Sequence, residues 1–454
     1  MANIRSTAVF VIASCVFVAG GCHKQNKLKR SKDVPSVVVR SPDAGPSQPS
    51  QPEHEPNNTL AAAQLIGDVS RFRIAANLAA NPTGQADVDF FRFVIPGVPA
   101  PMPDAGEDVR QLAVRLYLAL ASQGPDLSVT VLDDAGKPVA AFSCERGKDS
   151  VAPNLAVFPG RAYSVRVKAA TPSKGTPVDA GVVGTGYFLS GEFGQFGPGD
   201  EREPNDSQAT AELVRAFSGA IELAGYLSPA RDEDWYRIPL PSIPSVLGLD
   251  MAAIDGVGVG LRVVDARGAK LGVALGNRNS EVSLRNVAIP AAASDAGAME
   301  AIFAVVRLES GQNPVDRYVL HLTMGPVESG MEVEPNDIPA KATDMEVGAM
   351  RGYLSRGDVD IFRYKPVAGQ GMRVTVIPPS RVRVVVEVTR AGDGLTLGRQ
   401  EAKSPKDPVI VTLPDPLADS VFIRISPKKG EGNPNQPYSV GVVSVPGGIP
   451  TDSP

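Results

Sequence analysis

A six-residue pattern, Glu-x-Glu-Pro-Asn-Asn/Asp, occurs three times along the chain and constrains its fold more than any other feature. The three copies begin at Glu53, Glu201 and Glu332. Each copy is followed by an Asp-x-Asp-aromatic segment, and these second segments begin at Asp87, Asp232 and Asp358. Two linked motifs that recur three times in the same order indicate three copies of one structural unit.

Short runs of alternating apolar and polar residues fill the rest of each unit. Runs such as 127–136, 259–268 and 382–392 have an apolar residue at every second position and end in Asp, Ala or Gly. Such alternation predicts half-buried strands, and the endings favour tight turns. Two further strands are predicted to close each unit, at 163–167 and 187–190, at 302–306 and 318–322, and at 421–425 and 438–442.

These patterns predict an all-β fold of three tandem antiparallel, jelly-roll-like β-sandwiches, with no helix longer than about residues 59–65. A chain of 454 residues is also long enough for about three domains of ~150 residues each. The predicted segments are a signal peptide at 1–21, a lipidated N-terminus and flexible linker at 22–52, sandwiches at 53–197, 198–328 and 329–446, and a disordered tail at 447–454.

The N-terminal segment is typical of an exported protein. Arg5 precedes an apolar run at 8–19, which is too short to span a membrane and so favours a cleaved signal peptide. The run ends in Ala-Gly-Gly-Cys22, which resembles the lipobox of bacterial lipoproteins. That resemblance implies cleavage before Cys22 and a lipid on its thiol, and His23 in the next position implies sorting to the outer membrane. The alternative is an ordinary signal peptide with a chance cysteine.

Composition limits the classes of partner. The chain has 45 basic and 50 acidic residues, so it lacks the basic character of nucleic-acid-binding domains. Residues 36–52 are rich in Pro, Ser and Gln and predict an extended tether. We therefore expect a membrane contact through the lipid on Cys22 and no nucleic-acid partner.

The repeated acidic motif is the main candidate for chemistry. Proline restricts its own φ and favours an extended preceding residue, so neighbouring carboxylates and amides can converge. With the Asp-x-Asp segment nearby, six hard oxygen ligands are available, a number that suits Ca²⁺. The alternative is structural: the Asn and Asp residues cap a turn or short helix, and the Asp-x-Asp carboxylates pair with an Arg or accept backbone N–H bonds.

The order of these motifs, with a late tyrosine strand, resembles the bacterial pre-peptidase C-terminal (PPC) domain, a small β-sandwich appended to secreted proteases and other exported proteins. Some members, in bacterial collagenases, bind Ca²⁺ through such residues. The resemblance implies three candidate calcium-ligand sets: Glu53, Glu55, Asn57, Asn58, Asp87 and Asp89; Glu201, Glu203, Asn205, Asp206, Asp232 and Asp234; and Glu332, Glu334, Asn336, Asp337, Asp358 and Asp360.

The sequence favours a non-catalytic function. The three histidines are isolated from one another, so they form neither a catalytic triad nor a zinc site. Cys144 is expected to be a lone structural thiol. We expect a lipid-anchored array in the cell envelope that recognises a protein or polysaccharide. The alternatives are a secreted-type hydrolase, or an accessory to one, with an unrecognised site, and a passive spacer or envelope assembly factor.

Overall fold

The computed structural model describes residues 49–67, 70–78, 87–97, 112–124, 126–170, 186–228, 232–292, 301–345 and 348–446. The predicted signal peptide, Cys22, most of the linker and the tail at 447–454 lie outside these residues.

The described residues form three β-sandwiches, each made of two sheets, as the sequence predicts. We call them the first, second and third modules, and they belong to one compact unit. No α-helix is found in the described part of the chain. The short segment predicted at 59–65 contains a single 3-10 turn at Leu60–Ala62, and similar turns lie at Gln208–Thr210 and Pro339–Lys341.

Ten strands of the first module lie in the described residues. One sheet has the order β1-β3-β10-β5-β8 and the other β2-β4-β9-β6-β7. The strands are β1 (Gln51–Pro52), β2 (Gln64–Leu65), β3 (Arg71–Asn77), β4 (Val88–Val94), β5 (Val114–Ser122), β6 (Leu127–Leu132), β7 (Pro138–Cys144), β8 (Asp149–Val157), β9 (Ala162–Ala169) and β10 (Gly186–Gly194).

The second module repeats this arrangement, and nine of its strands lie in the part of the chain that the structure describes. Its sheets have the orders β12-β19-β14-β17 and β11-β13-β18-β15-β16. The strands are β11 (Glu212–Leu213), β12 (Gly219–Gly225), β13 (Glu233–Pro239), β14 (Ser245–Met251), β15 (Gly258–Asp265), β16 (Lys270–Leu275), β17 (Val282–Ile289), β18 (Ala301–Ser310) and β19 (Tyr318–Gly325).

The third module has the same strand order as the second. Its sheets are β21-β28-β23-β26 and β20-β22-β27-β24-β25. The strands are β20 (Thr343–Met345), β21 (Ala349–Leu354), β22 (Asp360–Tyr364), β23 (Gln370–Ile377), β24 (Val384–Arg390), β25 (Thr396–Glu401), β26 (Val409–Leu413), β27 (Val421–Pro427) and β28 (Asn433–Pro446).

Each module buries its own hydrophobic core between its two sheets. The aromatic strands β4, β13 and β22 contribute alternate residues to the core. In β13, Tyr236 and Ile238 are fully buried, whereas Arg237 between them is exposed. This alternation is the one expected for a strand with one face in the core. Asp89, Asp234 and Asp360 each lie two residues before a buried aromatic residue of their strand. They therefore share its face and are buried inside their modules.

Two other features bear on the sequence predictions. Cys144 is free and buried, with its Sγ 3.1 Å from the carbonyl oxygen of Lys148, and burial raises the pKa of its thiol. Within the described ranges, no helix has the length and apolar character needed to cross a membrane.

The separate cores make the stability of one module measurable. Leu261 on β15 is fully buried, and Val273 on the paired strand β16 is 41% exposed. We expect Leu261→Ala to lower the free energy of unfolding of the second module by about 2–5 kcal/mol, because it leaves a cavity. Val273→Ala should change it by less than about 0.5 kcal/mol.

Urea unfolding followed by tryptophan fluorescence measures this difference. Trp235 is the only tryptophan in the chain and lies on β13 of the second module, so its signal reports that module. Equal effects of the two substitutions would contradict the assignment of β15 to the core.

Candidate metal centres

The Glu-x-Glu-Pro-Asn segment is attached to the aromatic strand in the same way in every module. The backbone N–H of Trp235 donates to the carbonyl oxygen of Asn205, at 3.1 Å. The equivalent bonds join Phe90 to Asn57 at 3.1 Å and Ile361 to Asn336 at 3.3 Å. The Glu-Pro peptide bond of the motif is cis in each copy. This attachment brings the two acidic motifs, which are far apart in sequence, to one point.

Three carboxylates meet at that point in each module. They come from the two Glu residues of the first motif and from the second Asp of the Asp-x-Asp segment, and one oxygen from each lies within 4.8 Å of the others. The three clusters are Glu53, Glu55 and Asp89; Glu201, Glu203 and Asp234; and Glu332, Glu334 and Asp360. All residues of the second and third clusters are buried, whereas Glu55 of the first cluster is exposed.

The remaining predicted ligands take other places. Asn57, Asn205 and Asn336 are fully buried next to the clusters, and the side-chain amides of Asn57 and Asn336 donate to Glu53 and Glu332. Asn58, Asp206 and Asp337 are exposed. In the first module, the 3-10 turn after the motif is capped by the next residue instead, since Thr59 accepts from the N–H of Ala62 at 3.2 Å.

The first Asp of each Asp-x-Asp segment binds backbone N–H groups, as the structural alternative predicts. Asp232 accepts from Ser228 at 2.7 Å, and Asp358 accepts from Ser355 at 3.0 Å. Asp87 accepts from Val88 at 3.0 Å. These aspartates shape the turn before the strand and lie outside the three-carboxylate clusters.

Hydrogen bonds position the clustered carboxylates but leave some of their oxygens without a donor. In the second module, Glu201 accepts from the N–H of Tyr226 at 2.7 Å, and Asp234 Oδ2 accepts from the hydroxyl of Tyr318 at 2.7 Å. Asp234 Oδ1 is buried without a hydrogen-bond partner. The same holds for Asp89 Oδ1 and for both carboxylate oxygens of Asp360.

Two glycines make room for the clusters. A Cβ on Gly225 would lie 1.9 Å from Glu201 Oε2, and one on Gly352 would lie 2.6 Å from Glu332 Oε2. Both glycines pair with the late tyrosine of their module, on β19 and β28. Ala76 occupies the corresponding position in the first module. The second and third clusters therefore need glycine at this position, because any side chain would displace the first Glu.

Burial and mutual repulsion disfavour the charged forms of these acids. Burial raises the pKa of Asp89 to about 8, against the opposing hydrogen bond from Tyr187. Burial, with the charges of Glu201 and Glu203, raises the pKa of Asp234 well above its ordinary value. In the third module, burial raises the pKa of Glu334 to about 10.

No Lys or Arg in the described ranges forms an ion pair with Asp89, Asp234 or Asp360. Buried carboxylates are normally paired with a cation or fully hydrogen-bonded, because an uncompensated buried charge is costly. Each module thus contains a compact all-oxygen cluster with buried acceptors directed at no donor. Such a cluster fits a bound cation.

Sequence comparison does not place the chain in a family: it matches no protein-family model and no curated protein. Among solved structures it is similar to the CUB1-EGF-CUB2 fragment of human MASP-1/3, with 10% identity over 50% of this chain and 100% of that chain and a TM-score of 0.17.

It is also similar to the BSP domain of a biofilm-associated protein, with 12% identity over 88% of this chain and 68% of that one and a TM-score of 0.14. A triple jelly-roll structure from an archaeal virus turret matches with 10% identity over 88% and 97% of the two chains and a TM-score of 0.18. At these TM-scores the similarities identify neither a family nor a function.

The raised pKa values predict how the metal-free protein responds to pH. Asp89 shifts from 3.8 to about 8, and Glu332 from 4.5 to about 7. Between these values the folded state binds protons that the unfolded state has released, so the free energy of unfolding falls as pH rises. The loss is at most about 1.4 kcal/mol per pH unit for each group.

Thermal melting in the presence of a chelator checks this expectation. The midpoint should fall steadily as the pH is raised from about 5 to about 8, inside the window over which Asp89 and Glu332 keep protons that the unfolded chain has released. A midpoint that rises over this range would show that the clustered acids are stabilised as carboxylates without any cation.

Proposed function

We propose that this chain is a lipid-anchored, non-catalytic array of three calcium-binding β-sandwich modules that recognises a protein or polysaccharide in the bacterial cell envelope. The observation that carries the proposal is the three-carboxylate cluster, which occurs once in each module and is fully buried in the second and third. A cation at each cluster would neutralise the acids that burial otherwise penalises.

The chemistry of the ligands favours calcium. The three clusters contain only carboxylates, with no His or Cys ligand. Hard oxygen ligands select Ca²⁺ or Mg²⁺ over zinc and copper, and Ca²⁺ accepts flexible sets of carboxylate and carbonyl oxygens. The nearby amides of Asn57, Asn205 and Asn336 are further oxygen sources. We infer that the two Glu residues and the second Asp of each module hold the ion.

The module architecture and the order of the motifs support membership of the PPC domain family. We infer this relationship from the Glu-x-Glu-Pro-Asn and Asp-x-Asp motifs, since both contribute to the same cluster in all three sandwiches. The lipobox-like sequence before Cys22 supports a lipid anchor, and His23 supports an outer-membrane location. Several acyl chains would hold the modules at the membrane surface.

Calcium should stabilise the protein through the clustered acids. In chelator, Asp234→Asn should raise the unfolding midpoint of the second module, because the neutral amide avoids the cost of burying or protonating this carboxylate and can still accept from Tyr318. With excess Ca²⁺, the wild-type protein should gain about 2.7 kcal/mol at a concentration one hundred times Kd, whereas the variant should gain much less. Urea unfolding monitored by Trp235 fluorescence measures both effects.

Asp206→Asn is the matched control. Asp206 belongs to the same sequence motif but is exposed and outside the cluster. This variant should keep the wild-type response to Ca²⁺. The absence of a calcium-dependent shift in the wild-type protein, or an equal shift in Asp234→Asn, would contradict the calcium assignment.

The binding role is tested with immobilised mature protein and envelope extract. We expect a specific protein or polysaccharide to be retained in Ca²⁺ and released by chelator, because the cations hold the modules in their binding form. If the immobilised protein retains no specific molecule, the result would favour a passive spacer. Turnover of peptide or ester substrates that is lost on substitution of a single acid would instead favour a hydrolase.

A further inference from the structure

The second and third clusters lie where two modules meet. The backbone N–H of Glu203 donates to the carbonyl oxygen of Asn154 at 2.9 Å, and the N–H of Ala156 donates to the carbonyl oxygen of Glu203 at 2.8 Å. The next junction repeats these bonds between Glu334, Asn286 and Ala288, at 2.9 and 2.8 Å. The second Glu of the motif is thus paired with the edge strand of the preceding module.

Both of these edge strands contain a β-bulge at the asparagine. Where β8 pairs with β5, Leu155 lies opposite Leu116 but Ala152 lies opposite Leu118, so β8 has one extra residue. The strand β17 has the same irregularity where it pairs with β14. Asn286 in the β17 bulge has a φ of 53°, a conformation that asparagine adopts more readily than most residues. A bulge redirects a side chain that would otherwise follow the pleat.

The redirected side chain of Asn154 contacts the acidic cluster of the next module. It is 3% exposed, and its Nδ2 donates to Glu201 Oε1 at 3.2 Å. Asn286 Nδ2, at the same strand position, is buried without an acceptor. A second link crosses each junction, since the hydroxyl of Ser228 donates to the carbonyl oxygen of Val151 at 2.9 Å and that of Ser355 donates to Ser283 at 3.2 Å.

Among the described residues, no bulged asparagine lies before the first module or on the last edge strand of the third. The first cluster has no preceding module in the described residues, and its Glu55 is exposed. At the other end, β26 occupies the position of β8 and β17 but pairs with β23 without a register shift. Thr412 precedes Leu413 there, as Asn154 precedes Leu155, and it is exposed. The bulged asparagine therefore occurs at the two positions where another described module follows.

We propose that Asn154 and Asn286 are positioning residues of the second and third cation sites, each supplied by the preceding module. This inference rests on the proposed function. Asn154 orients the carboxylate of Glu201. The cation is bound by Glu201, Glu203 and the unpartnered oxygen of Asp234, so it links the oriented carboxylate to the other acids of its own module. Cation binding therefore fixes successive modules relative to each other, whereas the first site binds its ion independently.

The test uses Tb³⁺ as a luminescent substitute for Ca²⁺ in the full-length chain. Selective excitation of Trp235, next to Asp234 in sequence and the only tryptophan, reports the second site. Asn154→Ala should weaken Tb³⁺ and competing Ca²⁺ binding at this site by about 10–100-fold, as expected for loss of a residue that orients a metal ligand. Asn286→Ala and Thr412→Ala should leave this signal unchanged.

Small-angle scattering in Ca²⁺ and in chelator is the second readout. The wild-type chain should be more rigid in Ca²⁺, and Asn154→Ala should lose that difference at calcium concentrations that saturate the wild type. If Asn154→Ala does not fold, Asn286→Ala read by calcium calorimetry should weaken one of the three sites by the same factor.

The outcomes separate the two proposals. Wild-type affinity at the second site in Asn154→Ala, or no weakened site in Asn286→Ala, would overturn the positioning role while leaving calcium binding intact. The absence of any Ca²⁺-competed Tb³⁺ signal in the wild-type chain would overturn calcium binding itself.

Discussion

Three carboxylates meet at one point in each module and are all buried in the second and third modules. Their mutual repulsion is the constraint on which the rest of the structure depends. In the second module Glu201, Glu203 and Asp234 lie within 4.8 Å of one another and are all buried. Hydrogen bonds from Tyr226 and Tyr318 hold two of them in place but satisfy only some of their oxygens. Burial of these acids therefore destabilises the fold electrostatically, and one cation per module would remove this destabilisation.

The same short segment builds the cluster and joins the modules. The N–H of Glu201 bonds to Ala224 of its own module, while the N–H and carbonyl of Glu203 bond to the preceding edge strand. One Glu-x-Glu sequence therefore connects a sheet of its own module to a sheet of the preceding module. The cluster and the junction thus share one backbone segment.

The sequence predicts the modules better than it predicts their contacts. The alternation in β4, β13 and β22 is strong because one face of each strand is in the core, and the motif order reveals the repeat. The sequence also indicates that the acids converge. It does not distinguish the second Asp of Asp-x-Asp, which enters the cluster, from the first, which binds backbone N–H groups, because this depends on where the preceding turn places its donors.

The sequence also does not predict the role proposed for the asparagines. Asn154 and Asn286 lie in strands where asparagine is disfavoured, and the third module has Thr412 instead. In the sequence, each asparagine is only one polar residue within a run of strand residues. Nothing in that run predicts the bulge that redirects the side chain. The cap of the first 3-10 turn is likewise not fixed by residue type, because Asn58 is as good a cap as its neighbour Thr59.

A crystal structure of the full chain grown with Ca²⁺ tests the central claim most directly. The account predicts anomalous difference density at all three clusters, with carboxylate oxygens of Glu201, Glu203 and Asp234 about 2.3–2.6 Å from the ion in the second module. Clusters that contain only water, with the acids protonated and hydrogen-bonded to one another at saturating Ca²⁺, would contradict it.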